Sequence, residues 1–95
     1  MAQKFSFKKA RKAVFPVEMP DGSMITLREP TKSEVEEIVE ATQNEDYAEI
    51  LALALSTNME GRTFSAEALD DFTVTELVQF SQAYTDFIND LYPKN

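Results

Sequence analysis

The chain has 95 residues, 43% of them apolar and only two of them glycine, which suits one folded domain with a modest core. It contains neither cysteine nor histidine, which excludes a disulfide framework, a thiolate or imidazole metal site, and any nucleophilic triad that relies on histidine. The net charge of −8 is unevenly placed: Lys4, Lys8, Lys9, Arg11 and Lys12 lie in the first twelve positions, whereas Ser33 to Tyr92 carries fourteen acidic residues and one basic residue, Arg62.

Residues 1–12 form a basic arm in which Phe5 and Phe7 alternate with polar residues. The pattern allows a loose arm or an edge strand. No continuous apolar stretch follows the cations, so the segment does not read as a secretory signal. Lys8, Lys9, Arg11 and Lys12 are the candidate basic cluster. Four or five phosphate contacts give only weak, non-specific nucleic-acid binding, and the acidic body opposes even that. Neither nucleic acid nor a membrane is therefore an expected partner. A solvated arm, or one that docks on protein, fits better.

A compact domain is expected over residues 13–95, opening with a hairpin over 13–28. Val14 to Met19 and Met24 to Arg28 are short apolar-rich runs, and Pro20-Asp21-Gly22-Ser23 between them supplies turn residues. Pro16 has no amide hydrogen, so its strand should be an edge. Glu29-Pro30 closes the strand region, because a residue before proline avoids helical geometry.

Helix is expected from there on, over about 32–43, 46–56, 65–72 and 74–91. Thr31 and Glu34 have the spacing of a capping box, and Val35, Ile38, Val39 and Thr42 follow at helical intervals. Gln43-Asn44-Glu45 is a polar break. In the second helix Tyr47, Ile50, Leu51, Leu53, Ala54 and Leu55 wrap most of the circumference, which predicts the most buried element. The third helix offers Leu69 and Phe72 to the core. Thr73 and Glu76 repeat the capping spacing before the longest helix, whose apolar stripe is Leu77, Phe80, Tyr84, Phe87, Ile88 and Leu91, with Pro93 as its stop. The fold class expected is α+β, predominantly α: an N-terminal β-hairpin followed by three to four packed helices.

Nothing in this pattern suggests catalysis. Glu36-Glu37 and Asp70-Asp71 are adjacent pairs, which do not face one another on a helix, and the calcium-loop pattern is missing. Gly22 and Gly61 are isolated, so no glycine loop cradles phosphate. No catalytic residue, metal or cofactor is expected. The apolar stripes are core by the usual periodicity argument, yet three strongly apolar helices and a hairpin offer more apolar surface than a chain of this size hides. An exposed remainder marks association. The candidate partner or oligomer surface is Tyr47, Ile50, Leu51, Leu77, Phe80, Tyr84, Phe87 and Ile88. The acidic exterior then serves solubility, steers a basic partner, or pairs with the basic tail of a neighbouring copy.

The stretch Ile25-Thr26-Leu27-Arg28-Glu29-Pro30-Thr31, with the segment from Phe72 to Leu91 (FTVTELVQFSQAYTDFINDL), resembles the small bacteriophage and prophage tail assembly chaperones. So does the order of features: strand pair, acidic helix, alanine- and leucine-rich helix, short loop and final helix. The similarity runs from Ala13 to Leu91. It implies a non-enzymatic protein of the bacterial host cytoplasm that binds and solubilises the tape-measure protein. It further implies tail-tube protein as a second partner, self-association, and absence from the mature virion. Two other readings stay open: an acidic DNA mimic that inhibits a DNA-binding protein, and a structural tail or connector subunit.

Overall fold

A computed structural model describes residues 3–92. Two antiparallel strands, β1 (Val14–Glu18) and β2 (Met24–Arg28), are followed by helices α1 (Lys32–Gln43), α2 (Tyr47–Leu55), α3 (Ala66–Asp70) and α4 (Val74–Asp90). The architecture is the expected α+β hairpin-then-helices arrangement. The third helix is shorter than expected, with Asp71 as its C-cap and Phe72 beyond it. Pro93, the expected stop for the last helix, lies outside the described residues; α4 ends at Asp90 with Leu91 as C-cap.

The hairpin register pairs Phe15 with Leu27 and Val17 with Ile25. These four side chains share the inner face, where Ile25 and Leu27 are completely buried and Phe15 and Val17 half-buried. The strands are joined through Pro20, Asp21 and Gly22. The Met19 carbonyl accepts from the Gly22 amide at 2.8 Å, and Gly22 takes a φ of 87°. A side chain at that φ is strained, which is why the turn needs its glycine.

The two edges of the hairpin differ. Segment 57–60 covers the β2 edge: Arg28 N–H donates to the Thr57 carbonyl at 3.0 Å, and Met59 N–H donates to the Thr26 carbonyl at 2.8 Å. Glu60 Oε1 accepts from Thr26 N–H at 3.0 Å. Asn58 holds this segment in shape, its amide nitrogen donating to the carbonyls of Leu55 and Arg62. Since Thr26 and Arg28 turn their backbone groups outward, antiparallel alternation turns those of Pro16 and Val14 outward on the opposite side. Pro16 thus stands where the open β1 edge would otherwise present its central donor.

Both expected capping boxes form. Thr31 Oγ1 accepts from the Glu34 amide while Glu34 Oε1 accepts from the Thr31 amide, and Thr73 and Glu76 repeat the exchange at α4. Between α1 and α2 the chain turns through Glu45, which has a φ of 55°. The Asp46 amide donates to the Ala41 carbonyl and the Glu45 amide to the Thr42 carbonyl, the paired bonds of a Schellman ending with glutamate in the usual glycine place. Asp46 then caps α2 by accepting from the Glu49 amide.

The central helix is α2, with Ile50, Leu51, Ala54 and Leu55 buried. It contacts α1, α3 and α4, as its all-round apolar pattern predicts. Each large side chain buried here contributes roughly 1.5–3 kcal/mol before chain entropy is set against it. On α1 only Ile38 and Ala41 are buried; Val39, expected on the inner face, is 48% exposed. The reason is that α1 packs on α2 along one side alone, so its apolar stripe is wider than the contact that covers it.

Candidate functional site

The expected partner surface is split by the fold. Ile50, Leu51, Tyr84 and Ile88 are core residues, from completely buried to 6% exposed, and so are not the exposed surface the stripe suggested. Their own neighbours cover them: the hairpin closes over α4, and α2 carries α1 and α4 on either side. Tyr47, Leu77, Phe80 and Phe87 are half-buried and pack against that core.

Phe80, Tyr84 and Phe87 form an aromatic run under the hairpin. Phe15, from β1, lies with its ring centroid 6.2, 5.7 and 5.1 Å from theirs, and Phe80 stacks on Tyr84 at 5.7 Å. This aromatic set joins strand to helix and stabilises the fold. The Tyr84 hydroxyl is buried and makes no hydrogen bond of good geometry among the described residues, with Thr57 beside it as a weak partner. Burial pushes its pKa up, with nearby Thr57 and Arg28 opposing that shift and Glu34 adding to it.

Besides a small hollow between α1 and α2 ringed by Glu37, Glu40, Asp46 and Glu49, the surface of the described residues carries two grooves with mainly apolar lining. The first runs between α1 and α4, which both pack on α2 and approach each other little. It comprises two contiguous hollows, of about 240 and 140 Å³, that share Thr42 and Thr85. Val35, Val39 and Tyr47 form apolar walls, Ile50 and Ile88 the floor, and Asp86 is its one charged residue. Ser81 also lines it, with a hydroxyl that is buried and has no hydrogen-bond partner among the described residues. Thr42, which lines both hollows, donates its hydroxyl proton to the Ile38 carbonyl at 2.8 Å and so brings no unmet donor.

The second groove lies between the hairpin tip and the α3–α4 side. Its two adjoining hollows, of about 480 and 430 Å³, share Met19, Pro20, Phe72 and Glu76. Leu51, Leu55 and Phe80 supply more of the apolar lining, and Glu18, Asp21, Asp71 and Glu76 stand around it against one cation, Arg62. Arg62 is engaged already: it donates to Ser23 Oγ at 3.0 Å and sits 5.1 Å from the centre of the Phe64 ring.

In the arm, Ser6 to Ala10 forms a turn, with the Lys9 and Ala10 amides donating to the Ser6 and Phe7 carbonyls. No strand forms there among the described residues, so the edge-strand alternative is set aside. Lys8, Lys9, Arg11 and Lys12 are exposed, and Lys12 Nζ donates to the Phe7 carbonyl at 3.1 Å. Phe5 and Phe7 are 69% and 81% exposed and meet edge to face at 4.8 Å.

The described residues contain no group of acidic side chains arranged to hold a metal ion, and no helix long and apolar enough to cross a membrane. The groove residues Val35, Ser81, Thr85, Met19 and Phe72 were not among the sequence candidates. Helical spacing marks some of them as apolar, but it carries no sign of which apolar faces stay uncovered. Comparison of the chain with protein-family models, with curated proteins and with solved structures finds no match.

Proposed function

We propose that the chain is a non-enzymatic tail assembly chaperone that binds and solubilises the helical, apolar tape-measure protein during tail assembly in the host cytoplasm, and is left out of the finished particle. The observation that carries the reading is the trough between α1 and α4, which is apolar and nearly uncharged on a domain otherwise covered in carboxylates. A trough bounded by two helices takes an amphipathic helix by its apolar face. The acidic exterior then keeps the complex soluble and discourages other contacts. The order of elements and the two stretches quoted above support the assignment to tail assembly in particular.

Co-expression with a tape-measure fragment from the same genome tests this. The expected result is a soluble complex that survives purification and is lost with Val39→Asp, an exposed site where a new charge leaves the core intact. A fragment that stays insoluble beside folded wild-type protein would overturn the proposal.

A further inference from the structure

A different face supports an inference that does not depend on the tape-measure assignment. We propose that the acid-lined groove at the hairpin tip receives the aromatic, basic arm of a second copy of this chain. Groove and arm are complementary in both respects that matter. Met19, Phe72 and Phe80 line the groove with apolar surface, and Glu18, Asp21, Asp71 and Glu76 surround that surface with negative charge. The arm places two exposed phenylalanines next to Lys8, Lys9, Arg11 and Lys12. Phe5 and Phe7 each carry a large apolar area that the monomer leaves in water, and burying aromatic rings is a major source of interface energy. The cations draw the segment to the groove, and the rings anchor it.

The arm of the same chain is a poorer occupant. It joins the domain at Val14, the end of β1 away from the tip, and four strand steps of roughly 3.3 Å put its root about 13 Å from Glu18, so it would have to double back along β1 to enter the groove. Its described residues turn on themselves between Ser6 and Ala10 and contribute nothing to the core. The described chain is long for its breadth, 56 × 28 × 19 Å. Arm and groove therefore form unlike halves of one contact, and each copy carries both. Exchange between two copies closes a dimer; passage from one copy to the next makes an open series.

The test uses the full chain in sedimentation experiments at low and high salt, with two variants. Phe5→Ser/Phe7→Ser strips the arm of its anchors and touches no core residue. Glu18→Lys/Asp71→Lys reverses charge at two exposed groove positions. Wild-type protein is expected to self-associate, with the dissociation constant weakened about tenfold or more by high salt, since exposed charges are screened. Each variant alone should be monomeric. Mixed together, they should associate again, because one keeps an intact groove and the other an intact arm. A monomeric wild type, association that persists in the arm variant, or a mixture that stays monomeric would each overturn the proposal. Concentration-independent changes at groove amides on mutating the arm would identify the chain's own arm as the occupant, and would overturn it too.

Discussion

Arg28, the last residue of β2, meets Glu34, in the first turn of α1, through two parallel hydrogen bonds: Nη1 to Oε1 at 2.8 Å and Nη2 to Oε2 at 2.9 Å. The same Glu34 Oε1 accepts from the Thr31 amide, so one carboxylate ties the hairpin to the helix and completes the helix cap. A forked guanidinium–carboxylate pair of this kind fixes direction as well as distance. It sets the angle at which the chain leaves the sheet.

The pair makes stability depend on pH. The Arg28 guanidinium beside it, followed by the Thr31 amide, holds the Glu34 carboxyl at about 2 against an ordinary value of 4.5, with partial burial opposing. A carboxyl depressed in the folded state stabilises the fold above its unfolded value and loses that contribution as pH falls towards the folded one. The window is therefore about pH 4.5 down to about 2. Arg28 is 45% exposed, so solvent screening reduces the contribution to roughly 1–2 kcal/mol. Glu34→Gln keeps a capping acceptor and removes the charge. It should lose that amount at neutral pH and flatten the acid limb, as read by urea titrations between pH 7 and 2.

Glu45 offers the opposite sign. Its φ of 55° costs a side-chain-bearing residue about 1 kcal/mol or more, and the two bonds that close the α1 ending need that conformation. Glu45→Gly should raise stability by about 0.5–1 kcal/mol and the melting temperature by several degrees. Glu45→Gln removes the same charge but keeps the strain, so it should gain much less. Equal gains from both would assign the effect to charge.

Tyr84→Phe removes a hydroxyl that is buried and matched only weakly, by Thr57, while the ring keeps its contacts with Phe15, Phe80 and Phe87. Stability should stay within about 1 kcal/mol of the wild type, because the weak bond lost to Thr57 is offset by removing the desolvation cost of the hydroxyl. Tyr84→Ala should lose about 3–5 kcal/mol through the cavity it opens. Because burial raises the phenol's pKa, folded protein loses stability as pH climbs past the ordinary value of 10.0, and this part of the alkaline limb should disappear in Tyr84→Phe.

These positions show which parts of the fold the sequence displays. Thr31 with Glu34 and Thr73 with Glu76 are local exchanges three residues apart, so spacing reveals them and the structure contains them. Pro20-Asp21-Gly22 is equally local. The covering of β2 by residues 57–60 is not, since Thr57 and Met59 meet the strand through backbone groups that any residue type supplies. The site divides along the same line. Periodicity identifies the stripe from Leu77 to Ile88 as apolar. It cannot tell that Phe15 closes over Tyr84 while Val39 stays uncovered, because that depends on where α1 and the hairpin come to rest. Ser81 left no signal at all: a lone serine on a helix is ordinary until its hydroxyl is found buried without a partner.

Pro16 yields the last prediction. It pairs with Thr26 at a position where backbone groups point away from the partner strand, so replacing it disturbs no bond within the hairpin. Pro16→Thr gives the open β1 edge a central donor that it now lacks, between the outward amides of Val14 and Glu18. The monomer should lose only about 0.4–1 kcal/mol, through a less restricted unfolded chain. Its edge, however, becomes competent to pair with another strand. The measurement belongs in the Phe5→Ser/Phe7→Ser background, where association through the arm is absent. Light scattering at rising concentration should then detect new assembly that high salt does not reverse, because backbone hydrogen bonds between strands carry it. A variant that stays monomeric at millimolar concentration would mean that the exposed Val14 and Glu18 side chains already keep the edge closed without the proline.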